Sequence, residues 1–264
     1  MEKKLLLFDL DDTLLTSEKT ITPLTVEAIK ACKAKGMIIG YITARARPFY
    51  NEIFFTDAYN LPCDFIAYNN GAEICAEDAS SSSIEENVIP YEHAMKIIFG
   101  INETYPNAKI GIRFGPWSYY MGENWNINTG EKVKCTIFEL PHYDVQRIRI
   151  VFDKNDDIQL NDFMTENTIF FVTSDGTAMI LNKNATKEHA VQKASEYFTI
   201  PLSDVIAFGD DINDINMLKT AGISVAMGNA REPVKEIADF VTETNDNEGV
   251  SVWINKYLLR KLIL

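Results

Sequence analysis

The sequence predicts an α/β protein with a Rossmann-like core, a doubly wound parallel sheet, into which an α+β domain is inserted. At both ends of the chain, short strands that are apolar throughout alternate with helical patterns. That alternation is typical of a parallel sheet covered by helices on both faces. In the middle of the chain, strand patterns follow one another more closely and include a hairpin signal, as in an antiparallel sheet.

The N-terminal part begins the predicted parallel sheet. Its three strand patterns are KLLLFD (4–9), MIIGYIT (37–43) and DFIAYN (64–69). After the first strand, Thr22 as N-cap and Pro23 in the first turn start a helix that Gly36 ends. A second helix is predicted over 45–55, between the second and third strands.

The C-terminal part resumes the same alternation after residue 200. Strands are predicted at 205–210, 223–227 and 239–242, and helices at 212–219, from about Arg231 and from Gly249. Residues 1–83 and 183–264 are therefore predicted to form one α/β core domain.

The middle part, residues 84–182, is predicted to form the inserted α+β domain. The small polar stretch DASSSS (78–83) is typical of a joint between domains. The strand patterns that follow are KIGIRF, SYYMG, RIRIVF, TIFFVTSD and TAMILN, with Asp175-Gly176 as a hairpin signal between the last two. Helices are predicted at 91–102 and 158–166. Because the chain leaves and re-enters the core close together, this insert could hinge as a lid.

Composition limits the classes of function. The formal charge of −13 argues against nucleic acid or a membrane surface as partner, since both attract basic proteins. The four cysteines are widely spaced and form no C-x-x-C pair, which indicates reduced thiols and a cytoplasmic protein. The first apolar run stops at Asp9, too short for a signal peptide, and no stretch reaches membrane-spanning length. No feature indicates an obligate protein partner.

Polar residues gather where four predicted core strands end. These segments are Asp9-Leu10-Asp11-Asp12-Thr13, Thr43-Ala44-Arg45, Asn69-Asn70-Gly71 and Gly209-Asp210-Asp211-Ile212-Asn213-Asp214. Each segment alone could serve as a helix cap. Ligands of open parallel sheets bind beyond the carboxyl ends of the strands, so four such segments together predict one shared active site.

The residue types in these segments predict a magnesium site beside an anion site. Carboxylates from the first and fourth segments offer the oxygen ligands that Mg²⁺ prefers. An EF-hand loop is the competing interpretation, and it fails because Leu14 and Thr20 stand where that loop needs Gly and Glu. Thr43 offers a hydroxyl group for an anion. Backbone N–H groups for the same anion are expected around Asp11, Ala44 and Gly71.

Lys187 adds a cation to this set. The pattern at 186–198 predicts a helix with Thr186 as N-cap, which places Lys187 in the first turn. A cation is mildly disfavoured there by the helix dipole. Lys187 is then either a solvated surface lysine or a phosphate-binding charge, and its placement favours the second interpretation.

Together these segments resemble the motifs of the haloacid dehalogenase (HAD) superfamily, and within it the Cof-type (subfamily IIB) phosphatases. The first motif, D-x-D-x-T-L, stands at 9–14, the second is Thr43 in ITAR, the third is Lys187, and the fourth, G-D-x-x-N-D, stands at 209–214. The tail AMGNAREPVKEIADFVTETNDNEGV is also similar to that family. Three positions depart from its usual glycine, namely Asp12, Ala44 and Glu188.

The resemblance implies a phosphatase that acts through an aspartyl-phosphate, with the inserted domain as a substrate-selecting cap. Asp9 would be the nucleophile, and Asp11 the general acid to the leaving oxygen and then the base for water. The implied Mg²⁺ ligands are Asp9, the main-chain carbonyl of Asp11 and Asp210, with Asp214 as a direct or water-mediated ligand. The implied phosphate-binding residues are Thr43, Ala44, Lys187 and Asn213.

The expected substrate is a small phosphorylated metabolite, most of all a sugar phosphate. A phosphosugar mutase and an inactive phosphate- or metal-binding module are the alternatives, and the intact set of motif residues argues against the inactive module.

In the insert, segment 113–126 carries Arg113, Trp117, Tyr119, Tyr120 and Trp125. These side chains could stack on a sugar, although packing within the insert is the favoured interpretation.

Overall fold

The computed structural model describes residues 4–47, 59–76, 83–115, 117–122, 131–153, 156, 158–172 and 176–259. Within these residues the strands form two sheets, one of eight and one of six strands. The apolar side chains form a separate large cluster against each sheet, and a small third cluster lies between them.

The larger sheet is built from both ends of the chain. Numbered in chain order, its strands are β1 (Leu5–Phe8), β2 (Ile38–Ile42), β3 (Phe65–Tyr68), β4 (Glu73–Ala76), β5 (Glu85–Glu86), β12 (Val205–Gly209), β13 (Ile223–Ala226) and β14 (Phe240–Val241). They lie in the order β14-β13-β12-β1-β2-β3-β4-β5. Pairing is parallel from β14 to β3 and antiparallel for β4 and β5. The predicted parallel core is confirmed, and the two antiparallel strands were not anticipated.

Strand β1 lies at the centre of this sheet and is fully buried on both faces. Leu5 pairs with Val205 on one side and with Ile38 on the other. The chain builds outward from β1 in one direction through β2 and β3, and in the other through β12 and β13. The order therefore reverses beside β1, which is the usual position of a ligand site in such a sheet.

The helices are α1 (Pro23–Ala34), α2 (Tyr91–Thr104), α3 (Lys187–Phe198), α4 (Ile215–Thr220), α5 (Glu232–Ile237) and α6 (Gly249–Ile254). Two of the predicted helix starts are confirmed by their caps. The Thr22 hydroxyl accepts a hydrogen bond from the N–H of Thr25, and the Thr186 hydroxyl accepts one from the N–H of His189. Most of the helix predicted over 45–55 lies outside the described residues.

The smaller sheet is built from the middle of the chain. Its strands are β6 (Lys109–Phe114), β7 (Trp117–Met121), β8 (Glu131–Lys134), β9 (Arg147–Val151), β10 (Thr168–Val172) and β11 (Thr177–Asn182). They lie in the order β10-β11-β9-β6-β7-β8. The predicted antiparallel pairing is confirmed for the five predicted strands. Strand β8 was not predicted, and it pairs with β7 in parallel. Asp175 of the predicted hairpin turn lies outside the described residues.

The helix predicted over 158–166 is wrong. The chain forms only a short 3₁₀ turn there, Asn161–Phe163. The Thr168 hydroxyl accepts a hydrogen bond from the N–H of Thr165 at 2.8 Å. That side-chain bond draws the backbone into β10 instead of a further helical turn.

The two faces of the smaller sheet differ in character. One face carries isoleucines that pack against α2, among them Ile112 and Ile148. Because side chains alternate along a strand, Arg113, Arg147 and Arg149 lie on the opposite face. This opposite face, called the inner face below, turns toward the larger sheet. There the guanidinium of Arg147 donates to the carbonyl of Ala44 at 3.1 Å.

Two connections join the sheets. The chain leaves the larger sheet after β5 and returns to it between β11 and α3, and the Asn182 amide donates to the carbonyl of Val88 at 2.7 Å across these connections. Leu181, Ala72 and Ala185 form the small cluster beside them. We propose on this basis the two-domain division that the sequence predicts, except that the insert begins after β5 and not at residue 84, because Glu85–Glu86 pair with β4 of the larger sheet.

Tyr119 packs within the smaller sheet. Its ring meets that of Phe114 edge to face, with the centroids 5.4 Å apart, and it lies against the apolar cluster of this sheet. The packing interpretation is therefore confirmed for Tyr119. Trp117 is 41% exposed, and Trp125 lies outside the described residues.

Candidate active site

The nucleophile candidate Asp9 lies at the carboxyl end of the central strand. Its N–H donates to the carbonyl of Phe208 at 3.0 Å, which extends the β1–β12 ladder by one residue. The residue is only 5% exposed. A carboxylate this deep needs a cationic partner, since burial of an unpaired charge is costly.

Three carboxylates meet at this point. Oxygen atoms of Asp9, Asp210 and Asp214 lie within 4.8 Å of one another. Asp214 is fully buried, and its Oδ2 accepts hydrogen bonds from the N–H groups of Asp210 and Asp211 at 2.9 and 3.1 Å. Backbone donors therefore hold the Asp214 carboxylate in place.

Lys187 joins two of these carboxylates. Its Nζ lies 2.5 Å from Asp9 Oδ1 and 2.5 Å from Asp214 Oδ1. The side chain is 3% exposed, so the solvated surface-lysine interpretation is wrong. The N-cap bond of Thr186 starts α3 at Lys187 and so directs this side chain toward the carboxylates.

The pKa values of the group reflect this crowding. Burial raises the pKa of Asp9 well above its usual range, with Lys187 opposing the shift and Asp214 and Asp210 adding to it. Burial also raises the pKa of Asp210 to about 7, with the Asp214 carboxylate adding to it. Burial acts to lower the pKa of Lys187, but Asp214 and Asp9 outweigh it and raise that pKa. The crowding of carboxylates around one ammonium group therefore disfavours the charged forms of Asp9 and Asp210.

Asp11 lies beside this group and has different partners. Arg45 donates from Nε to Asp11 Oδ2 at 2.5 Å and from Nη2 to Asp11 Oδ1, and Lys19 Nζ lies 3.3 Å from Oδ1. Burial acts to raise the pKa of Asp11, but the hydrogen bond and charge of Arg45, with Lys19, lower it. This ion pair was not predicted from the sequence, although Arg45 stands two residues after Thr43 in the second motif.

Thr43 and Ala44 form the next side of the site. The Thr43 N–H donates to the carbonyl of Ala67 at 2.9 Å, and its hydroxyl accepts from the N–H of Arg45 at 3.0 Å. Ala44 has a φ outside the left-handed region, so its side chain is accommodated without backbone strain.

The other two positions that depart from the family's glycine are also accommodated. Asp12 does adopt a left-handed conformation, with φ of 58°, which asparagine and aspartate tolerate better than most residues. Lys187 pairs with Asp9 and Asp214 and not with Glu188.

Asn213 is the predicted site residue that stands apart. It lies exposed on the 3₁₀ turn Ile212–Asp214, and within the described part of the chain no hydrogen bond joins it to the other site residues. Conversely, Thr13 was missed as a site residue. Its hydroxyl donates to Asp210 Oδ1 at 2.7 Å, and its place in D-x-D-x-T was the available signal.

The profile of haloacid dehalogenase-like hydrolases matches residues 6–254. The chain belongs to this family. Solved HAD structures share the fold. BT1666 of Bacteroides thetaiotaomicron, a HAD phosphatase, is 26% identical with a TM-score of 0.81, over 97% of this chain and 95% of that one. The subclass IIB sugar phosphatase BT4131 is 26% identical with a TM-score of 0.80, over 97% and 99%.

Curated relatives of this HAD protein carry phosphatase names. The 5-amino-6-(5-phospho-D-ribitylamino)uracil phosphatase YcsE of Bacillus subtilis is 28% identical over 261 residues, 97% of this chain and 96% of that protein. A putative phosphatase of Haemophilus influenzae is 28% identical over 264 residues, 96% and 97% of the two chains. The protein is thus a Cof-type, subclass IIB HAD phosphatase, a phosphoric monoester hydrolase.

In the described residues, no helix has the length and apolar character that a membrane crossing needs.

Proposed function

We propose that this HAD phosphatase hydrolyses small phosphorylated metabolites, sugar phosphates most of all, with Mg²⁺ and through an aspartyl-phosphate on Asp9. The observation that carries the proposal is the placement of Asp9, which shares one buried cluster with Asp210, Asp214 and Lys187. The names of the sugar phosphatase and of the phosphoribitylaminouracil phosphatase among the similar proteins support this class of substrate.

The carboxylate cluster fits a divalent cation of the hard, oxygen-binding kind. Three ionised carboxylates and one ammonium leave two negative charges, which one Mg²⁺ would balance. Asp9, Asp210 and Asp214 would hold the ion with the main-chain carbonyl of Asp11. When bound, Mg²⁺ supplies positive charge beside the transferring phosphoryl group.

The first half of the reaction belongs to Asp9 and Asp11. A carboxylate oxygen of Asp9 attacks phosphorus, and the bond from phosphorus to the leaving oxygen breaks. Asp11 must carry a proton at that stage, against the bias of its ion pair with Arg45, and gives this proton to the leaving oxygen. The phosphoryl oxygens are bound by Thr43, the N–H of Ala44 and Lys187.

The second half releases phosphate. Asp11, now charged, takes a proton from a water molecule, and the water oxygen attacks phosphorus. The bond between phosphorus and Asp9 then breaks, which restores the free carboxylate. The ion pair with Arg45 favours the charged form of Asp11 and therefore suits this second step.

We infer a cytoplasmic location from the thiols. All four cysteines, Cys32, Cys63, Cys75 and Cys135, are thiols and not half-cystines. Free thiols persist in a reducing compartment. The net charge of −13 is likewise unsuited to a nucleic-acid partner.

Hydrolysis of p-nitrophenyl phosphate by the wild type and by Asp9→Asn, each with Mg²⁺ and with EDTA, tests the proposal. We expect activity that requires Mg²⁺ and falls by at least about 10³-fold in Asp9→Asn. Asp12→Asn is the matched control, because it makes the same charge change at an exposed residue nearby. Activity that survives in Asp9→Asn would contradict the aspartyl-phosphate step.

A further inference from the structure

Two arginines of the inner face lie directly opposite each other. Arg113 on β6 and Arg147 on β9 are paired in the antiparallel register, and Arg149 lies two residues further along the same face. Like charges directly opposite each other destabilise a sheet. This concentration of positive charge in a chain of formal charge −13 therefore indicates an anion that the arginines bind.

The unsatisfied hydrogen-bond donors of Arg113 also indicate a bound anion. The residue is 3% exposed, and its Nη1 donates to the Ser118 hydroxyl at 2.6 Å. Its Nε and Nη2 are buried and have no hydrogen-bond partner within the described part of the chain. Buried donors of a charged group are costly when unpaired, so an acceptor from outside the chain would satisfy them.

Arg147 brings this charge to the edge of the active site. Its Nη1 donates to the carbonyl of Ala44, the residue after Thr43. Burial, with the charges of Arg113 and Arg149, lowers the pKa of Arg147 to about 10. A bound anion would oppose the lowering of the Arg147 pKa, because its negative charge favours the charged guanidinium group.

The nearby carboxylates of the described residues are already engaged. Glu73 lies close enough to Arg113 to influence its charge, but its Oε1 is 2.9 Å from Nη2 of Arg47. Asp11 is bound by Arg45. No carboxylate of the described ranges forms an ion pair with Arg113 or Arg147, so these two arginines have no acidic partner among them.

We propose that Arg113 and Arg147 bind a second anionic group of the substrate, a phosphate or a carboxylate, while the phosphoryl group to be transferred lies at Asp9. This inference rests on the proposed function and narrows it to phosphorylated metabolites with two anionic groups. The transferred group already has Lys187 and Thr43, so the arginines are in excess of what one phosphate monoester needs. Planar guanidinium groups suit phosphate and carboxylate oxygens.

Matched pairs of substrates test the inference. Glycerol 3-phosphate against 3-phosphoglycerate tests a carboxylate, and fructose 6-phosphate against fructose 1,6-bisphosphate tests a phosphate. We expect kcat/KM to be at least about tenfold higher for one of the doubly anionic members. In Arg147→Gln that ratio should fall below about two. Arg113→Lys, which keeps the charge but loses the planar fork, should reduce it in part.

The control is Lys96→Gln, which removes one positive charge from the exposed side of α2, and its ratio should match that of the wild type. A ratio near one in the wild type for both pairs would overturn the inference while leaving the phosphatase function intact. A ratio that Arg147→Gln does not change would overturn it as well.

Calorimetric binding to Asp9→Asn separates this inference from the proposed function. The doubly anionic compound should bind at least about tenfold more tightly than its partner, and Arg147→Gln added to Asp9→Asn should abolish the difference. If the wild type hydrolysed none of the compounds, the proposed function would fail, and the binding difference alone would decide the inference. Equal dissociation constants for both members of each pair would overturn it.

Discussion

Arg45 binds both carboxylate oxygens of Asp11 through two nitrogen atoms of one guanidinium group. We expect Arg45→Gln to lower kcat/KM by about tenfold for an alkyl phosphate such as glycerol 2-phosphate, because Asp11 loses the partner that orients it. The loss should be smaller for p-nitrophenyl phosphate, whose leaving group departs without a proton. Steady-state kinetics with both substrates measure this difference.

Arg45→Lys is the matched control for that change. It keeps the charge and loses the paired geometry, so its activity should lie between those of the wild type and Arg45→Gln. An equal loss for both substrates would show that Arg45 does not act through Asp11.

Removal of Lys187 should destabilise the metal-free protein. Lys187→Met leaves the buried carboxylates of Asp9 and Asp214 without their shared ammonium partner. Loss of one member of a buried ion pair costs about 3 kcal/mol in the free energy of unfolding. Urea unfolding in EDTA would measure it, and added Mg²⁺ should restore part of the loss. Unchanged stability in EDTA would contradict the buried arrangement.

Gly209→Ala should weaken activation by Mg²⁺ by at least about tenfold. A Cβ atom at this position would lie 2.6 Å from Cβ and 2.7 Å from Cγ of Asp214, so this carboxylate must move. The concentration of Mg²⁺ that gives half-maximal activity is the measurement. Gly36→Ala is the control, because no atom lies within 4 Å of its added Cβ although its φ is +83°. It should cost about 1 kcal/mol of stability and leave Mg²⁺ activation unchanged.

The ion pairs of Glu85 should make stability depend on pH. Burial acts to raise the pKa of Glu85, but hydrogen bonds from Lys193 and His189 lower it from 4.5 to about 2. The folded pKa lies below the unfolded one, so the contribution is complete above pH 4.5 and is lost as pH falls toward 2.

Urea unfolding of the wild type and Glu85→Gln between pH 3 and 7 measures this contribution. At pH 7 the variant should be less stable by about 1 kcal/mol, as is typical of partly exposed pairs, and the difference should shrink below pH 4.5. Glu103→Gln, an exposed residue on α2, should show no such change. A difference that stays constant with pH would contradict the role of Glu85.

Sequence patterns predicted where the core strands end, and with that the meeting of Asp9, Thr43 and Asp214 at one edge. The reason is geometric, since parallel strands with helical connections bring all their carboxyl ends to the same side. The place of Lys187 was predictable because Thr186 provides a cap that starts α3 at this residue.

Pairings across the sheets could not be predicted in the same way. The pattern RIRIVF shows arginine alternating with isoleucine, but only the register with β6 places Arg147 opposite Arg113. The ion pair between Asp11 and Arg45 likewise depends on side-chain directions at two strand ends. At 158–166 the apolar spacing resembled a helix, whereas the Thr165–Thr168 hydrogen bond redirects the chain into a strand.

The hydrogen bond between Asn182 and Val88 ties the two connections between the sheets into a single joint. A few residues after Asn182 the chain reaches Lys187, whose ammonium group lies between two buried carboxylates. A rotation of the smaller sheet about this joint would pull on the start of α3. Such a rotation would shift the ammonium group of Lys187 relative to Asp9, and the stiffness of this short joint would then set how far a movement of the smaller sheet changes the charge balance at the nucleophile.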